Sequence, residues 1–289
     1  MLGGAAFQTE RSYSATEDSR AVLHPRLVLV LLLTSSVWTI VMTAIPVLVK
    51  NSGDLGGPYV GWFEGNDVIR LLEPIVTLPL QLALLVESKC FASDSSTPAG
   101  VLVAFAFGAA LYQQGAGYHS ASTMFKHAVE TIQVTPNATS AVGAAIAADM
   151  RHWMRETWEH WIAHYMYAAG GVIVAAVIAW VYRDVHLPNG LTNRVDRALW
   201  LTASLAYGLC IGSVAIQFPW GVLVALCFLG VYGFGIVGTA LWRRGEIFTW
   251  GTRFVLQYFM MAYSVALSIS VGWAIYTRSV TMNRSAANA

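Results

Sequence analysis

HWMRETWEHWIAHYMYAAGGVIVAAVIAWVY, residues 152–182, is the stretch that decides the fold. From about residue 157 it is predominantly apolar or aromatic over more than the roughly 20 residues an α-helix needs to cross a hydrocarbon core. Its first half sets histidines and glutamates at the entrance of that run. Ionisable groups at such a depth cost free energy unless they are paired, hydrated or used, so the entrance is where function is to be sought first.

Outward from this stretch the pattern repeats. Runs of comparable length lie at 27–49, 68–87, 99–119, 157–182, 199–217, 219–242 and 253–277, the fifth and sixth meeting in a tight hairpin at Gln217-Phe218-Pro219. Hydrophobic residues make up 56% of the 289 and charged residues 11%, with a mean hydropathy of +0.55. A water-soluble domain of that composition would expose large apolar patches. The expected fold is therefore an all-α integral membrane protein, a bundle of seven transmembrane helices over 27–277, between a cytoplasmic polar tail, 1–26, and a short polar tail, 278–289. The N-terminal segment lacks the short basic stretch and apolar core of a cleavable signal, which leaves targeting to the first span. A net charge of +1 from 17 basic and 16 acidic residues excludes nucleic acid as a partner. Membrane lipid is the expected surrounding. The three cysteines make no paired framework and read as small core residues.

Basic loops stay cytoplasmic. The N-terminus and the second, fourth and sixth loops hold ten basic residues: Arg11, Arg20, Arg26, Lys89, Arg183, Arg194, Arg197, Arg243, Arg244 and Arg253. The opposite side holds seven: Lys50, Arg70, Lys126, Arg151, Arg155, Arg278 and Arg284. The N-terminus is thus expected in the cytoplasm and the C-terminus in a lumen or outside. The glycosylation sequons at Asn137 and Asn283 both fall on the non-cytoplasmic side.

With that topology, Arg70 and Glu73 on the second span, His119 and His127 on the third, and His152, Glu156, Glu159, His160 and His164 on the fourth fall at one membrane level. His160 and His164 are four apart, which puts both imidazoles on one helical face about 6 Å apart along the axis, the spacing of a metal-gripping pair. His152 and His164 stand about 18 Å apart and cannot share an ion. His119, beside the small residues of Gln114-Gly-Ala-Gly-Tyr-His119, is the expected third ligand. Three nitrogens and a water would make an open zinc (or iron) site that supplies hydroxide, with Glu156 or Glu159 as general base. The competing reading for His127 and His152 is an interfacial anchor within the aromatic belt of Trp153, Trp158, Trp161, Tyr165 and Tyr167. Arg70 and Glu73, three apart, either neutralise each other or orient a substrate. Pro74 and Pro79 open the ladder of the same helix and suit a kink around a cavity.

Two families share parts of this pattern. The segment Arg70-Leu-Leu-Glu73-Pro-Ile-Val-Thr77-Leu-Pro79 resembles the third helix of microbial rhodopsins, where an Arg, a carboxylate three residues on and a Thr before a Pro line the retinal pocket. The lysines here are Lys50, Lys89 and Lys126, none in the last span, so no retinal is expected. His119 with Ser120, and the pair His160 and His164, are similar to the zinc-holding set of the seven-span hydrolases that include alkaline ceramidases and the progestin and adiponectin receptors. That family carries its pair in the last span and adds an Asp that has no counterpart here. The second resemblance implies metal-dependent hydrolysis of a lipid amide.

Two function classes follow. One is a metal-dependent membrane hydrolase or lipid-modifying enzyme acting at the non-cytoplasmic face, with His119, His160 and His164 as ligands. The other is a transporter or receptor that uses the same residues as a proton or ligand path for an amphipathic substrate.

Overall fold

The computed structural model describes residues 23–49, 58–60, 63–92, 97–134, 141–243 and 249–283. Seven long helices follow one another: α1 (Pro25–Val49), α2 (Gly65–Glu87), α3 (Thr97–Val134), α4 (Ala141–Val181), α5 (Arg194–Ala215), α6 (Gly221–Phe228, Leu229–Gly238 and Thr239–Arg243 in one run) and α7 (Phe254–Thr277). A minimal antiparallel ribbon, Pro58–Val60 against Phe63–Glu64, leads into α2. Neighbours in the bundle are α1 with α2 and α5, α3 with α4, and α5 with α7.

Six of the seven, all but α2, are long and apolar enough to cross a membrane. Large apolar side chains face outward on them, Phe107 at 60% exposure and Ile275 at 72% among them, where a helix of a water-soluble bundle would be polar. The seventh expected span corresponds to α2, which is 23 residues long but carries Asp67, Arg70, Glu73 and Glu87.

The runs expected at 99–119 and 157–182 prove to be parts of longer helices. At 38 and 41 residues, α3 and α4 rise about 57 Å and 61 Å, well beyond a hydrocarbon core of about 30 Å. His119 therefore lies within a helix rather than near its end. The small and polar residues after it stay helical, with the Ser122 and Thr123 hydroxyls turned back on helix carbonyls. Ser122 donates to Tyr118 and His119 at 2.8 and 3.0 Å, and Thr123 to His119 at 2.8 Å.

Glycine sets the closest approach in the bundle. A Cβ at Gly115 of α3 would land on the backbone nitrogen of Tyr167, and one at Gly170 of α4 on that of Tyr112. The two backbones touch along this line, and that contact brings the two tyrosines face to face.

At one end of the bundle, Glu87 accepts from the backbone nitrogen of His24 at 2.9 Å and from Lys89 Nζ at 3.0 Å, and Arg26 lies 3.6 Å from Asp196. At the other end the chain after α7 folds back on the start of α6. The backbone nitrogens of Trp220 and Leu223 donate to Thr281 and Val280, giving partners to N–H groups that a helix start leaves open. Asn283 is only 7% exposed there, and the rest of its sequon lies outside the described residues. Asn137 lies outside the described residues.

Candidate functional site

A cavity of about 160 Å³ opens in the middle of the bundle, and all seven helices contribute to its wall. Apolar cavities of this size admit a benzene-like molecule. Aromatic side chains from the α5–α6 side and α7 supply the greasy surface: Tyr207, Phe218, Phe228, Tyr258 and Phe259. Hydroxyls from α1 to α4 supply the polar surface: Ser35, Ser36, Thr39, Thr77, Tyr112 and Tyr167.

Directly behind that polar surface stands Glu73, 5% exposed. Its Oε1 accepts three hydrogen bonds from cavity-wall hydroxyls: Thr77 Oγ1 at 2.7 Å, Tyr112 OH at 2.8 Å and Thr39 Oγ1 at 3.1 Å. Tyr167 OH bonds to Tyr112 OH in turn. Thr77 and Glu73 are four apart on α2 and so share a helix face, whereas Thr39 and Tyr112 arrive from α1 and α3. Glu73 Oε2 is buried and has no hydrogen-bond partner among the described residues. Trp38 Nε1 donates to the backbone oxygen of Glu73 at 3.1 Å and fixes this turn of α2 against α1. Arg70 lies one turn earlier on α2, with its side chain outside the described residues, as is that of His127.

The three histidines expected to act together do come together. The rings of His119 and His164 lie 5.0 Å apart centre to centre, and those of His160 and His164 lie 5.9 Å apart. Glu159 Oε1 is 3.9 Å from His119 Nε2, and Glu156 Oε2 is 3.3 Å from His160 Nδ1 and belongs also to a contact with Arg155. The geometry, however, is one of stacking. A metal lies in the plane of each imidazole that binds it, and the rings of His160 and His164 are stacked and inclined by only 15°, so their planes do not meet near the pair. Among the described residues no group of three His, Cys, Asp or Glu side chains is disposed to hold a metal ion. Met154–Ala163, which carries Glu156, Glu159 and His160, is wound as a π-helix, and His164 opens the α-helical stretch that follows.

His164 also stacks on Phe218 at 5.4 Å, and Phe218 is part of the cavity wall. The histidine cluster is thus one ring away from the cavity. The α5–α6 turn that carries Phe218 is tied to α4 by Tyr165, whose hydroxyl donates to Pro219 O at 2.7 Å. Removing that bond with Tyr165→Phe is expected to lower stability by about 0.5–1.5 kcal/mol, the usual net value of one hydrogen bond, read as a small drop of the thermal midpoint in detergent micelles.

Of the residues singled out from sequence, the structure brings Glu73 to the cavity and gathers His119, Glu156, Glu159, His160 and His164 beside it. The residues that sequence reasoning passed over are Thr39 and Tyr112, and Tyr167, read there as part of the aromatic belt, joins them at the cavity. The signal available was the glycine spacing beside the tyrosines, Gly108 and Gly115 on α3 and Gly170 and Gly171 on α4. No family model, no curated protein and no solved structure matches this chain.

Proposed function

We propose that the protein is a seven-span membrane protein of the receptor or transporter class that binds a small, largely apolar molecule inside its helix bundle. The observation that carries this reading is the cavity itself, walled by every helix, greasy on one side and hydroxyl-lined around Glu73 on the other. Few convergent polar groups in an otherwise apolar pocket between helices are the usual form of a small-molecule site. In this reading Glu73 orients the ligand, and α2 is the seventh span, its 23 residues rising about 34 Å. The N-terminus is then cytoplasmic and the C-terminus lies on the opposite side. The likeness of Arg70 to Pro79 to the pocket helix of microbial rhodopsins agrees with it, since Glu73 and Thr77 stand at the cavity's polar end. The stacked histidines are read as the packed boundary of this site, with Phe218 between them and the cavity.

Cys210 lines the cavity and supplies the test. With Cys90 and Cys227 replaced by serine, saturating 2-phenylethanol is expected to slow the reaction of Cys210 with N-ethylmaleimide. Gly171 lines the same cavity, and a Cβ there would sit 3.5–3.6 Å from the ring of Tyr112, an ordinary contact. Gly171→Leu should therefore fill the cavity and abolish protection. It should also raise the melting midpoint, because glycine inside a helix costs about 0.5–1 kcal/mol relative to residues with a side chain. Labelling of Cys210 that no small aromatic compound slows would sink the reading.

A further inference from the structure

The hydroxyls around the cavity are nearly all turned the same way. A serine, threonine or tyrosine hydroxyl carries one hydrogen and two lone pairs. Thr77 and Tyr112 give that hydrogen to Glu73 Oε1, and Thr39 gives its own to Glu73 Oε1 at 3.1 Å or to Thr77 Oγ1 at 3.2 Å, spent within the protein in either case. Because the hydrogen of Tyr112 is committed, its contact with Tyr167 requires Tyr167 to donate. Ser35 and Ser36 give theirs to the carbonyl of Leu32, at 3.1 and 2.7 Å, so the 2.8 Å bond between Ser36 and Tyr258 has Tyr258 as donor. Seven hydroxyls of the wall have thus spent their hydrogens within the protein, and what they have left is lone pairs. Tyr207 and Gln81 complete the hydroxyl and amide groups of the wall, and each adds an acceptor as well as a donor.

A surface made of acceptors, with a carboxylate behind it, selects a donor. A carboxylate ligand would face oxygen lone pairs and the charge of Glu73, and no arginine or lysine stands among the described residues lining the cavity to receive it. An alcohol offers one hydrogen against several acceptors. An ammonium offers as many as three, together with a charge opposite to that of Glu73, and the aromatic rings of Tyr207, Phe228, Tyr258 and Phe259 present faces that attract a cation. Glu73 Oε2, the second oxygen of the same carboxyl group, is buried and has no hydrogen-bond partner among the described residues.

Resting on the reading of the cavity as a ligand site, we infer that its ligand is a protonated amine on a small apolar or aromatic body, held without covalent attachment and with its ammonium group at the hydroxyl shell of Glu73. The amine head docks between α1, α2 and α3, and its apolar part lies toward α5, α6 and α7.

The test compares two probes of nearly equal shape, 2-phenylethylamine and 2-phenylethanol, by their protection of Cys210 from N-ethylmaleimide in the full chain lacking Cys90 and Cys227. The amine is expected to half-protect at a concentration lower by about tenfold or more, as one charge-assisted bond in place of a neutral one implies. Glu73→Gln keeps an oxygen for the three hydroxyls and removes the charge. It should bring the two probes to within about twofold of each other while 2-phenylethanol still protects, which also shows that the variant is folded. Equal protection by both probes in the unaltered protein, or a preference for the amine that survives Glu73→Gln, overturns the amine assignment and leaves the cavity reading standing. Failure of both probes to protect overturns the two together.

Discussion

Gly170→Leu is expected to prevent the bundle from assembling: little or no monodisperse protein should elute in detergent, and whatever does should melt far below the unaltered chain. A Cβ at this position would lie 2.6 Å from the carbonyl oxygen of Gly108 and 2.7 Å from the Cα of Tyr112, where ordinary contact begins near 3.4 Å. The obstructing atoms are backbone, so no rotamer change relieves them, and α3 and α4 must separate. Overpacking of a core that can shift side chains costs about 1–3 kcal/mol, and a clash between helix backbones lies at or beyond the top of that range. Separation would also pull Tyr112 from Tyr167 and dismantle one side of the cavity. Gly171→Leu, one residue along the same helix, is the control, because a Cβ there meets the Tyr112 ring at ordinary contact distance and the position lines the cavity. Two substitutions of identical chemistry with opposite effects on the melting midpoint would locate the close helix contact between α3 and α4. If Gly170→Leu behaves like its neighbour, the backbones do not touch there.

The lengths of the helices and the chemistry of the site were unequally legible in the sequence. Apolar runs show where hydrocarbon can be crossed, and six of them correspond to helices of that kind. They show nothing of where a helix stops once it leaves the bilayer, because beyond the hydrocarbon a helix no longer needs an apolar surface. The structure carries α3 on to Val134 and begins α4 at Ala141. Spacing alone also says nothing of how the rings of His160 and His164 are turned, and the structure stacks the ligand-like pair. Glu73 was conspicuous as a carboxylate within a membrane-length segment. Its partners Thr39 and Tyr112 come from helices 34 and 39 positions away in the chain, and no local pattern ties them to it.

Glu73→Leu is expected to lower stability by about 1–3 kcal/mol and to abolish any preference for an amine, and the two effects should separate in a second variant. The leucine strands three donors that now point at Oε1. Thr39 and Thr77 can turn their hydroxyls to helix carbonyls one turn back, as Ser36 does toward Leu32. Tyr112 has no such neighbour on its own backbone, and one buried donor left unpaired accounts for the expected loss. Against this, a carboxylate with one oxygen unpartnered among the described residues is itself costly to hold in an apolar bundle, and its removal brings relief. Adding Tyr112→Phe and Tyr167→Phe to Glu73→Leu deletes the stranded donor together with the hydroxyl that gives its hydrogen to Tyr112. The triple variant should melt at or above the unaltered protein, because apolar replacement of a whole buried polar cluster is commonly neutral or stabilising where removal of one member is not. Binding should not return with stability: the triple variant should still treat 2-phenylethylamine and 2-phenylethanol alike. A triple variant as unstable as the single would mean that the hydroxyl shell is not what Glu73 satisfies. Recovered stability without recovered amine preference would mean that the chain carries its buried carboxylate at a net cost to the fold, the expected state of a group kept for its ligand.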